Sequence, residues 1–140
     1  MTVLYSAEMA GLAAVPVSLP SGGIVDGNVR VKRATITLAT QTTSDTIVIA
    51  KAHEGESFLY GVITASATLG ASATVAIGIT GTTGKYRAAA TFTTANTPTL
   101  FGTAAGAVTL AADEEVFITI GSASLPGSGT LVVDMYFSAT

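Results

Sequence analysis

Residues 114–137 alternate apolar and polar side chains, and that pattern constrains the chain more than any other stretch. Val116, Ile118 and Ile120 fall on one face of the first arm, with Phe117 and Thr119 on the other. In the second arm Leu131, Val133, Met135 and Phe137 share a face, opposite Val132, Asp134 and Tyr136. A period of two is the spacing of a strand with one face buried. Between the arms, residues 121–129 contain Pro126-Gly127-Ser128-Gly129, which favours turning over helix. The pattern predicts one β-hairpin, and a hairpin alone is marginal in water, so the rest of the chain must supply a sheet.

It does so by repeating the pattern. Residues 29–39 alternate, with Ala34, Ile36 and Leu38 expected inward and Thr35 and Thr37 outward. Residues 46–52 are apolar on both faces through Ile47, Val48 and Ile49, which predicts a central strand or one covered by a partner. A long strand is expected over 57–68, with Phe58, Tyr60 and Val62 on one face and Leu59 and Ile63 on the other. Ala73, Val75, Ile77 and Ile79 alternate most cleanly, and Tyr86, Ala88, Ala90 and Phe92 form the next inward face. Pro98 argues against a central strand over 96–105, where Leu100 and Phe101 are expected to anchor to the core. A short strand is expected over 107–110. The sum is an all-β chain of about eight strands, a jelly-roll-like antiparallel β-sandwich, with no βαβ alternation and no internal repeat.

Residues 1–28 read differently, as an extended N-terminal arm preceding a single domain over 29–140. A helical turn is possible over 5–14, but Pro16, Pro20 and Ser21-Gly22-Gly23 stop it. The apolar residues Val3, Leu4, Tyr5, Met9 and Leu12 need a surface, either the domain's own sheet or a neighbouring subunit. The segment has no basic start and is interrupted by Glu8, which makes it a poor secretory signal and points to synthesis in the cytosol.

Composition sharpens this. Hydrophobic residues make up 49% of the 140 positions and charged residues only 11%, against roughly 25% charged in ordinary soluble domains. Mean hydropathy is +0.59, yet Ala, Thr and Gly break every apolar run before the ~18 residues a spanning helix needs. The apolar excess therefore points to subunit contact rather than a membrane. Net charge is −3, so nothing draws the chain as a whole to nucleic acid. Arg30, Lys32 and Arg33 form the one basic cluster, without interleaved aromatics, and read as a charged strand edge. With no cysteine, disulfide and thiolate chemistry are excluded.

Catalytic and metal chemistry find little support. His53, the only histidine, has Glu54 and Glu56 close by in His53-Glu54-Gly55-Glu56, a metal-ligand pattern that one histidine leaves incomplete; a solvated turn is expected. The run Gly78–Lys85 lacks the first glycine and the closing serine or threonine of a phosphate-binding loop, and reads as a hairpin turn. Asp113, Glu114 and Glu115 are consecutive carboxylates at a strand entrance, without a second group to complete an acid–base pair. Nothing marks Ser57 or another hydroxyl as a nucleophile. The expectation is no enzyme, no cofactor and no metal.

The apolar, Gly/Pro-broken arm, the Thr/Ala/Gly-rich strands, the run LAADEEVFITIG at 110–121 and the closing GSGTLVVDMYF at 127–137 together resemble the capsid decoration, or cement, proteins of tailed bacteriophages. That resemblance implies a β-sandwich bound to the outer surface of an icosahedral shell. It would bridge major capsid protein subunits there, as a homo-oligomer with a trimer favoured and a dimer possible. It places the chain in the virion after assembly in the host cytoplasm, with the arm residues Val3, Leu4, Tyr5, Met9 and Leu12 at an interface, and with no nucleic-acid or membrane partner. The alternatives are a carbohydrate- or receptor-binding sandwich of a fibre or spike, and a tail or connector component.

Overall fold

Each alternating stretch becomes a strand because alternation lets one face shed water while the other keeps it. The structure is a computed structural model that describes residues 4, 6, 9–19 and 27–139, except for the side chains of residues 12 and 13. Its eight strands are β1 (Asn28–Thr37), β2 (Thr46–Ala52), β3 (Ser57–Ala65), β4 (Thr74–Ile79), β5 (Thr82–Thr91), β6 (Thr99–Phe101), β7 (Glu114–Gly121) and β8 (Thr130–Ala139). They form two four-stranded sheets, ordered β1-β8-β3-β6 and β2-β7-β4-β5. All the pairings are antiparallel.

First pairs with last and the rest follow inward: β1 with β8, β2 with β7, β3 with β6, β4 with β5. A long double strand wound on itself produces that nesting, and the wound form is the jelly roll. Between the sheets lie Ile63, Val75, Ile77, Val116, Ile118, Leu131 and Val133, all without solvent exposure. Phe58, Tyr86, Phe101 and Phe137 gather in the same core, with Phe58 edge-on to Tyr86 at 4.7 Å and to Phe137 at 5.6 Å.

The expected hairpin over 114–137 is corrected. Both arms are strands, but β7 lies in one sheet and β8 in the other. Their apolar faces look at each other across the core, which buries both against apolar surface. The connection is an arch pinned to the β1–β2 turn: Leu125 is buried and its N–H donates to Gln41 O, while Pro126 O accepts from Thr40 N–H.

Strand β2 is also not central. It forms a sheet edge, with a bulge between Val48 and Ala50 that buries Ile49 and leaves Val48 exposed. A bulge between Phe58 and Tyr60 ends β3's expected alternation, so that Phe58 and Ile63 are buried while Leu59 and Tyr60 are exposed. In β5 Tyr86 points inward as expected, but register shifts against β4 leave Ala88 and Ala90 exposed. Phe101 is buried and Leu100 is not. Residues 107–110 contribute one isolated bridge, Ser57 to Thr109, instead of a strand. In the arm the helical turn shrinks to a 3-10 turn, Ala10–Ala13.

Candidate assembly surface

With the inward positions spent on the core, the outer face of the β1-β8-β3-β6 sheet is built from what remains. Register sets Val31 opposite Tyr136, and Tyr136 opposite Tyr60. The neighbouring row runs Arg33, Asp134, Val62, Leu100. Tyr60 and Tyr136 stack with centroids 4.6 Å apart and planes 15° apart. Val29, Val31, Leu59 and Leu100 are exposed around them, so a sheet face that would ordinarily be polar is largely apolar and aromatic.

The charges on this face cancel. Arg33 donates from Nε to Asp134 Oδ1 at 2.7 Å and from Nη2 to Oδ2 at 2.8 Å, a two-pronged grip of guanidinium on carboxylate. Asp134 is 7% exposed, covered by the arginine that neutralises it. The hydrogen bond and the adjacent negative charge of Asp134 push the Arg33 pKa further up. The β3 bulge matters here, because it brings Leu59 and Tyr60 out together. Beside Leu59 a hollow of about 450 Å³ opens between Phe58, Ala107 and Val108, and its Ser57 and Thr109 hydroxyls bond each other at 2.7 Å.

The residues singled out for chemistry are spread apart. Glu56 turns inward and is buried; its Oε1 accepts from His53 N–H at 2.7 Å and lies 3.3 Å from Lys32 Nζ. Glu54 stays exposed, so the two carboxylates beside His53 do not converge, and no metal-binding group is found among the described residues. Asp113 accepts from Glu54 N–H at 2.9 Å, and that bond, helped by His53 at 3.6 Å, holds its carboxyl below the usual carboxylate range. Glu114 takes Lys85 Nζ on both oxygens at 2.8 Å and also the Tyr86 hydroxyl, while Glu115 pairs in register with Lys51. Burial first, then Glu114, raises the Tyr86 pKa, so this phenol remains a donor. Two of the three neighbouring carboxylates, Asp113 and Glu114, thus serve separate contacts. Gly81, at φ +82°, turns the run Gly78–Lys85 between β4 and β5, as a hairpin turn requires.

Of the basic cluster, Arg33 holds Asp134, Lys32 sits 5.4 Å from the Phe137 ring centre, and Arg30 is exposed on β1, which is a sheet edge as expected. Of the arm residues, Leu4 is exposed and Met9 half-buried; Val3, Tyr5 and the side chain of Leu12 lie outside the described residues. Sequence reasoning missed Tyr60, Leu59 and Leu100 as surface residues. A bulge signal at Leu59 was all that could have found the first two.

No protein-family model matches the sequence, and no curated protein does. Solved structures do match. The chain aligns with a chain of the cyanophage Pam1 capsid asymmetric unit at TM-score 0.67 and 20% identity, over 81% of this chain and 86% of that one. A chain of the Ralstonia phage GP4 capsid aligns at TM-score 0.64 and 16% identity, with the same two coverages. A chain of the acid-stable capsid of Helicobacter pylori bacteriophage KHP30 gives TM-score 0.59 and 10% identity, over 80% of this chain and 89% of that one. The fold of this chain is one that phage capsids contain, in nearly its full extent.

Proposed function

We propose that this chain is a structural virion protein that binds the outer surface of a phage capsid and stabilises it by bridging major capsid protein subunits. One observation carries the reading: four-fifths of the chain superimposes on chains of three phage capsids. The surface chemistry supports it. A neutral, apolar sheet face suits a protein that works in contact with others. The mechanism is thermodynamic. A protein that binds the assembled shell and not its free subunits adds stability to the shell alone, and symmetry multiplies each modest contact.

The test is to mix the purified chain with empty shells that lack it. Co-sedimentation at fixed stoichiometry and a higher shell disruption temperature are expected. Shells that neither bind it nor gain stability overturn the reading. A carbohydrate- or receptor-binding role would draw on the exposed Tyr60 and Tyr136, but each ring covers a face of the other, leaving less aromatic surface for a sugar. A tail or connector role would instead show itself as a hexameric ring in solution.

A further inference from the structure

Strand direction alternates through the sandwich, so its connections collect at two ends, and the two ends differ. One end is formed by residues 38–45, 66–73, 92–98 and 122–129, the other by 53–56, 80–81 and 102–113. The four loops of the first end are bonded into one surface. Leu125 N–H donates to Gln41 O and Thr40 N–H to Pro126 O; Thr130 N–H donates to Ser66 Oγ; Leu69 N–H donates to Phe92 O and Asn96 N–H to Ala65 O. We infer that sister copies of the chain meet through this surface. The inference rests on the chain being a structural virion protein, and it names the surface its copies share.

Charge separates the two ends. The four loops are rich in Ser, Thr, Asn and Gln and hold one charged side chain, Asp45, whose carboxylate already accepts from the Thr42 N–H and hydroxyl. The other end carries Glu54, Glu56 and Asp113 in its loops, and Glu54 and Asp113 are exposed. In a chain of net charge −3, copies that met through that end would bring like charges together. Hydroxyl and amide groups are donors and acceptors at once, so each can pair with its own copy across a symmetry axis, as a carboxylate cannot.

Backbone conformation singles out the same end. The three non-glycine residues with left-handed φ among those described are Thr40 at +58°, Asn96 at +56° and Ser122 at +65°. They sit in three different loops of this surface, beside Gly70 and Gly129, whereas the left-handed positions at the other end are Gly55 and Gly81. A β-branched residue such as Thr40 is strained there and glycine is not. All three side chains are exposed and none hydrogen-bonds another described residue, so the fold makes no use of them. A contact outside the chain gives them one. Strand-to-strand pairing offers copies no easier route: β1 carries Arg30, Lys32 and Arg33, register shifts interrupt β2 and β5, and β6 is three residues long.

The test places charge on this surface at Thr43 and Ser124, both exposed and without side-chain hydrogen bonds to described residues. Full-length Thr43→Glu/Ser124→Glu and Thr43→Lys/Ser124→Lys are each expected to self-associate roughly tenfold more weakly than the parent in a light-scattering dilution series. An equal mixture of the two is expected to associate more tightly than either alone, a rescue that damage to the fold would not give. Ala104→Glu/Ala111→Glu, at the other end, is expected to associate as the parent does. Melting curves that match the parent confirm that the variants are folded. Loop variants that associate like the parent, an equal loss in the control, a mixture no better than its components, or a parent that is monomeric throughout overturn the inference. A parent that binds empty shells yet never self-associates overturns it and leaves the proposed function standing. Association lost in the loop variants and rescued in the mixture, with no shell binding by the parent, does the reverse.

Discussion

At the scale of single residues, two glycines carry packing that their own sequence neighbours do not reveal. A methyl group on Gly61 would sit 2.1 Å from the tip of the Phe101 ring, which pairs across from it on β6. Gly61→Ala must therefore push a buried ring out of place, and a loss of about 1–3 kcal/mol is expected by chemical denaturation. Gly78→Ala should cost more, because its new methyl would meet the backbone of Thr82 and Thr83, at 2.3 to 2.5 Å, rather than a side chain. Phe58 touches three other aromatic rings, so Phe58→Ala is expected to lose about 3–5 kcal/mol in the same measurement. Phe58 was legible as an apolar strand residue. Gly61 was not, since its meaning depends on a ring brought in from a distant strand.

At the scale of elements, the loop after β2 is held to the loop before β7. Gly55 N–H donates to Leu110 O, Leu110 N–H to Glu56 O, and Glu54 N–H to Asp113. The Asp113 carboxyl is held low by that last bond, so its contribution is fully present above the ordinary carboxylate pKa of about 3.9 and disappears as pH falls through the lowered value. Amide exchange at Glu54 should accordingly speed up on strong acidification, and Asp113→Asn should remove most of that pH dependence. Strands themselves were readable from alternation, β4 and β7 especially. Bulges at Val48/Ala50 and Phe58/Tyr60 were not, because one extra residue in a ladder leaves no compositional mark while exchanging the faces beyond it.

At the scale of the whole molecule, every strand except the β4–β5 pair finds its partner far along the chain; Arg33 and Asp134, for example, are 101 positions apart. Loop closure must come before such contacts repay it, so folding in milliseconds to seconds is expected by stopped flow, slow for a chain of this size. The amino-acid sequence by itself determined that this chain would be all-β, with about eight strands, one apolar face on most of them and few charges. Those properties are local or compositional, and alternation and side-chain type express them directly. Tertiary structure alone decided that β7 and β8 would oppose each other across the core instead of pairing, that β2 would be an edge, and that Tyr60, Tyr136 and Leu100 would share an outer face. Each of these depends on which strands meet and in what register, and burial of two apolar faces against each other, not the pattern within either strand, selects that arrangement.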